Sequence, residues 1–309
     1  MKPNKSLPAP HLRPLVLVGA ACWMVFVQAC SQQLRAGPGS GLEDSPSSKV
    51  ERKYLAPVSK EILRVQLPVA VEATLANGLT VLILEDRRLP TVSARLYVGG
   101  AGSLYDPANL PGLAVVTAEM LLEGTKSRTS RKIAEEVERL GAHLSASAGF
   151  GGEATTINAS GLSDNFDEWF ALAADVLLQP VFPAEELERL KQRLKTQLRQ
   201  QRASPSFLSG ERFNRAVFGS HPAAVVSSTA EAIDALTRAQ LTQWHRERYL
   251  PQNAILGIAG DVRAADLIPK LNRWLEGWHR TGAKAILPPA PAPAKARSEE
   301  RRVGKECRL

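Results

Sequence analysis

Cysteine is nearly absent. The 309-residue chain holds three, Cys22, Cys30 and Cys307. None is spaced as a C-x-x-C pair and the long middle of the chain has none, which excludes a disulfide framework and a thiolate metal or redox motif. Histidine is scarce as well. Beyond His11, the four others (His143, His221, His245 and His279) are scattered, and no two stand at i, i+4, where one helix face could present both to a metal. No apolar run reaches the ~20 residues that cross a bilayer as a helix. A block of one charge sign is also missing. The formal net charge is +8, but Lys2, Lys5 and Arg13 lie at the extreme start and a further net +2 falls in residues 297–309. The remaining net +3 is spread over residues 30–296, too thinly for a nucleic-acid surface. What is present is ordinary for a globular protein, 44% hydrophobic and 23% charged, with length enough for a substantial core.

The first 29 residues have the layout of an export signal: Lys2, Lys5 and Arg13, then the apolar run LVLVGAACWMVFV at 15–27. That run fits the roughly 7–15 residues of a signal-peptide core. It closes on Val27-Gln28-Ala29-Cys30, which resembles a bacterial lipobox with Cys30 as the acylated residue; Gln28 departs from the usual small or aliphatic residue. Ser31 resembles the sorting signal for the outer membrane. These features predict a lipid-anchored protein of the bacterial envelope, on the outer membrane and facing the periplasm. Residues 30–61, rich in Ser, Gly, Pro and charge, predict a flexible linker.

From Ile62 the pattern changes to alternating strands and amphipathic helices. VEATLANGLTVLILED carries Asn77-Gly78 between two strand-like runs and predicts a hairpin. TVSARLYVGG sets Val92, Ala94, Leu96 and Val98 on one face. Thr129-Ser130 caps a helix closing on Gly141. The stretch HLSASAGFGGEATTINASGL predicts one or two strands with a loop at residues 149–152, and Ser163-Asp164 reads as the cap of the next helix. Helices follow over 183–202, 207–218 and 237–249, then the strand NAILGIAGDV and a closing helix RAADLIPKLNRWLEGW. Local strand pairing with helices between predicts an α+β fold, a mainly antiparallel sheet covered by helices. Residues 282–296 form a Pro/Ala linker. After it, RSEERRVGKEC matches the in-frame translation of a sequencing adapter residue for residue, so 297–309 is read as an artefact behind which a second domain is missing.

One helix poses the functional question. GLAVVTAEMLLEGT, residues 112–125, is apolar throughout except for a single mid-run carboxylate, Glu119. It resembles the active-site helix of the M16 metallopeptidases, the pitrilysin, insulinase and mitochondrial processing peptidase family, usually GLAHFLEHMLFKGT with its inverted zinc motif H-x-x-E-H. Gly112, Leu113, Ala114, Met120, Leu121, Gly124 and Thr125 carry the likeness. LANGLTVLILED resembles the family's first hairpin, and LLQPVFPAEELERLKQRLKTQLRQQRASP its long helix. FGSHPAAVVSSTAEAIDALTRAQLTQWHRERYLPQNAILGIAGDV is similar to the closing segment. The likeness spans about residues 67–278, so 62–281 is identified as one M16-type N-terminal domain.

The resemblance also implies what is lost. The first zinc histidine falls on Val115, the catalytic glutamate on Ala118, the second histidine on Glu119, and the third ligand on Gln197. A catalytic zinc needs three protein ligands and an open position, and Val and Ala ligate nothing. The expectation is a non-catalytic subunit with no metal or other cofactor, a degenerate site at Val115, Ala118, Glu119 and Gln197, and Cys30 as the lipidation site. Its implied partners are a catalytic M16 peptidase in a heterodimer, a peptide, and the membrane through the anchor; nucleic acid is not among them. Two alternatives remain open at this level: an active zinc endopeptidase with an altered site, and a stand-alone scaffold lipoprotein. His221, in a His-Pro turn, is expected to be structural, and Glu119 to sit at the solvent end of the old cleft. The glycine-rich 149–152 loop is either a peptide or partner contact or a flexible hairpin tip.

Overall fold

The computed structural model describes residues 69–279 and 286–291. The predicted signal peptide, Cys30, the 30–61 linker, the Ile62 start of the fold and residues 297–309 all lie outside the described residues.

Six strands form one sheet in the order β1-β2-β6-β3-β5-β4. β1 (Val71–Thr74) and β2 (Thr80–Glu85) make the expected antiparallel hairpin, Thr74 opposite Thr80. Asn77-Gly78 sits inside a longer loop than a two-residue turn: Leu75 N donates to Leu79 O at 2.9 Å, and Gly78 takes φ +86. β3 (Thr91–Gly99) pairs antiparallel with β5 (Ala154–Leu162), which pairs with the edge strand β4 (His143–Ala148). β6 (Ala254–Gly260) inserts between β2 and β3, antiparallel to β3 and parallel to β2. The mainly antiparallel α+β fold therefore holds, with one parallel pair.

Strand alternation decides which face is covered. Val81, Ile83, Val92, Ala94, Leu96, Val98, Ile157, Ala159, Leu256 and Ile258 point inward and are buried, while Leu82, Leu162 and Ile255 on the opposite face remain exposed. Among the described residues eight α-helices follow in chain order: α1 (Leu113–Met120), α2 (Ser130–Arg139), α3 (Phe166–Leu178), α4 (Ala184–Arg202), α5 (Pro205–Phe218), α6 (Ala230–Ala235), α7 (Arg238–Arg248) and α8 (Ala264–Trp274). α3 lays Phe170, Ala173, Ala174 and Leu177 against the inner face of the sheet. An aromatic cluster fills the space toward α8, with Phe166 and Trp169 edge to face at 4.8 Å and Phe170 and Trp274 at 5.1 Å. Thr129 caps α2 by accepting from Lys132 N. Ser163-Asp164 is not a cap, because residues 163–165 wind into a 3-10 turn and Asn165 makes no side-chain bond to the helix start. α6 was unforeseen; it is short, and its Thr229 cap is its clearest local signal.

Candidate functional site

α1 is positioned at both ends by contacts of the glycines and the threonine that frame it. At the start, Gly112 takes φ +98, a left-handed conformation that glycine adopts without strain. A Cβ there would lie 2.0 Å from Ser228 Oγ, so the glycine also permits close approach of the 227–228 loop. The N–H groups at the helix start, which lack partners within the helix, are taken by Asp106, whose carboxyl oxygens accept from Gly112 N at 2.7 Å and Ala114 N at 2.9 Å. Burial pushes the Asp106 carboxyl up to about 6, against the pull of the Ala114, Gly112 and Leu113 amides. At the far end the helix stops earlier than the apolar run suggests. Residues Leu121–Glu123 tighten into a 3-10 turn and Gly124 at φ +147 turns the chain. Thr125 Oγ1 then donates to Asp175 Oδ2 of α3 at 2.7 Å, and Arg128 bridges Asp175 and Glu136 at 2.7 and 2.9 Å. Gly112, Gly124 and Thr125 thus seat one helix.

α4 is the opposing wall. Leu187 and Leu190 bury its first half, and Lys195 ties it to Asp234 of α6 at 2.8 Å. Its second half turns Leu194, Gln197, Leu198 and Gln201, one helical stripe, toward Val115, Val116 and Glu119 of α1 around a cavity of about 100 Å³. Val115, Glu119 and Gln197 thus line one space. Ala118 does not join them; it is fully buried on another side of α1. Glu119 is 32% exposed and accepts from Arg193 Nη2 at 2.7 Å. Arg193 stands one turn before Gln197, and the sequence reading passed over it as one more charge on a charged helix.

The donor set does not fit zinc. The cavity offers one carboxylate and neutral amides, and that carboxylate already holds a guanidinium, so a divalent ion would have to displace a fixed cation. Ala118, where the resemblance puts the general base, has its methyl group packed away from the cavity. The histidines supply nothing nearby. His143 and His279 are exposed. His221 Nδ1 accepts from Ala223 N at 3.1 Å and caps a 3-10 turn. His245 is half-buried, its pKa lowered by desolvation, and its Nε2–H donates to Leu177 O at 2.8 Å. Among the described residues no group of three or more His, Cys, Asp or Glu side chains could hold a metal ion.

The glycine-rich loop reaches this site. Phe150 lines the cavity. The loop is pinned: Ser103 Oγ donates to Gly149 O at 2.8 Å and Leu104 N to Gly152 O at 3.0 Å. Gly102 fits beneath it only because a Cβ would lie 2.4 Å from Gly152 O.

Known proteins agree with this architecture. Residues 80–225 match the family model Insulinase (Peptidase family M16), and residues 235–307 match Peptidase M16 inactive domain, through the stretch read as adapter. A Rickettsia bellii protein named as an uncharacterized zinc protease is 28% identical over 217 residues, 70% of this chain and 52% of its own length. A crystal structure of a peptidase M16 inactive domain from Pseudomonas fluorescens superposes with a TM-score of 0.68 at 29% identity, covering 72% of this chain and 54% of that one. The periplasmic protease PqqL from Escherichia coli shares the fold at TM-score 0.64 and 18% identity, over 72% of this chain and 26% of that one. The chain spans about half the length of the curated relatives it matches.

Proposed function

We propose that this chain, built from peptidase M16 and M16 inactive-domain sequence, is a non-catalytic peptidase-like subunit of the bacterial envelope that binds peptide and pairs with a catalytic M16 zinc peptidase. The observation that carries the reading is the Glu119–Arg193 ion pair, which joins α1 to α4 beside a cavity that Val115, Glu119 and Gln197 line. On the resemblance, every position that would ligate zinc or activate water is replaced, while Gly112, Gly124 and Thr125 of the shared pattern seat α1. A frame kept without its chemistry favours a role in shape. Among the described residues the edge strand β4 pairs only with β5, and its outer main-chain groups suit an extended peptide. Envelope placement rests on the Val27-Gln28-Ala29-Cys30 boundary and on the periplasmic neighbour. Among the described residues no helix is long and apolar enough to cross a membrane.

Co-expression with an M16 protein that carries an intact H-x-x-E-H motif tests the pairing. The expected result is a joint elution peak and a peptidase rate that depends on both chains. Full activity of the catalytic protein alone, with neither rate nor elution volume changed by this chain, rules the partnership out.

A further inference from the structure

We propose that the cavity between α1 and α4, where the family's metal chemistry would sit, is a pocket for one branched aliphatic side chain of a bound peptide. The inference rests on the peptide-binding reading above and names what the site selects. The deep wall is aliphatic: Val115, Val116, Leu194, Leu198 and Ile233, closed at one side by the Phe150 ring. Size then discriminates. An apolar cavity of about 150 Å³ takes a benzene ring, so the roughly 100 Å³ here suits Val or Leu and leaves out an indole.

The rim is matched to an uncharged main chain. Glu119 and Arg193 cancel each other's charge, and the Gln197 and Gln201 amides each donate and accept, as successive peptide groups do. A free cation or anion would meet its opposite already occupied. A second observation points the same way. Ser227 Oγ, on the cavity wall, is buried with no hydrogen-bond partner among the described residues. A hydroxyl left so calls for a polar group beside the apolar one, and a peptide backbone carrying an aliphatic side chain supplies both. The wall is preformed, since Ser103 and Leu104 hold the Phe150 loop and Gly112 lets Ser228 close in.

Fluorescence anisotropy of the full chain with labelled Ser-Gly-Ser-Xaa-Ser-Gly-Ser peptides tests this, with Xaa as Gly, Val, Leu or Trp. The expected result is Val and Leu bound about tenfold more tightly than Gly, a fraction of full side-chain burial, and Trp no better than Gly. Val115→Phe fills the cavity and should level Leu with Gly; Phe150→Ala widens it and should admit Trp. Peptides that bind with equal affinity whatever Xaa is, or a Leu preference untouched by both variants, overturn the pocket and leave the peptide-binding reading intact. No binding of any peptide overturns both.

Discussion

Replacing Gly112 by alanine should be among the most damaging small changes in the domain, and its cost can be split in two. Gly112 stands at φ +98, where an L-residue carries a backbone penalty of about 1–2 kcal/mol. The added methyl would also lie 2.0 Å from Ser228 Oγ, 3.4 Å from Ser228 Cβ and 3.5 Å from Phe150 Cε1. Overpacking of that kind adds roughly 1–3 kcal/mol, for a total near 2–5 kcal/mol. Gly141 is the internal control: it has φ +60, and a Cβ there meets nothing within 4 Å. Gly141→Ala should therefore cost only the backbone share. For a domain of this size each kcal/mol lowers Tm by about 2–4 °C, so thermal melts resolve the two variants. Ser228→Gly removes the obstructing Oγ and Cβ, and the double variant should regain about 1–3 kcal/mol in a mutant cycle. If Gly112→Ala melts no lower than Gly141→Ala, or the cycle gives no coupling, the close seat of α1 against residues 227–228 is wrong, and the rigid cavity wall goes with it.

Asp106 should make the domain lose stability as pH rises. Its carboxyl, raised from 3.8 to about 6 in the folded chain, contributes up to about 3 kcal/mol that is fully present below pH 4 and gone above pH 6. Denaturant titrations across that range should flatten in Asp106→Asn. Metal analysis of the wild-type chain should find no stoichiometric zinc, and Val115→His, Ala118→Glu, Glu119→His and Gln197→Glu combined should bind it better once Arg193→Ala is added. One tightly held zinc in the wild type, lost on changing Glu119, would refute that account of the site. Cys30→Ser should leave the membrane fraction, since each buried CH₂ of an acyl chain contributes about 0.8 kcal/mol of anchoring; a variant sedimenting with membranes like wild type counts against lipidation.

Much of this fold is legible locally because the signals are local. The alternation of Val92, Ala94, Leu96 and Val98 is the inner face of β3, and the Thr129 cap starts α2 where it should. What escaped was long-range or competitive. Nothing in NAILGIAGDV says that β6 will part β2 from β3, because both of its edges pair with strands more than 150 residues away. Ser163-Asp164 has capping chemistry, yet a 3-10 turn claims those residues first. At the candidate site, the positions Val115, Ala118, Glu119 and Gln197 came from aligning a pattern, whereas the partner of Glu119 did not. Arg193 is one of several arginines on α4, and only the crossing of α1 and α4 singles it out. Phe150 was hidden in a glycine-rich loop whose rigidity comes from Ser103 and Leu104, far upstream.

The central place of β6 also sets a schedule for synthesis. Until residues 254–260 leave the ribosome, the sheet exists as two unjoined halves, the β1–β2 hairpin and the β3–β5–β4 ladder. At 5–20 residues per second, the interval between finishing β3 and reaching β6 is on the order of ten to thirty seconds. Throughout that time the inner faces of both halves are open, so strand order alone keeps a nascent chain unclosed. A ribosome stalled before residue 254 would release a product that no refolding buffer could close.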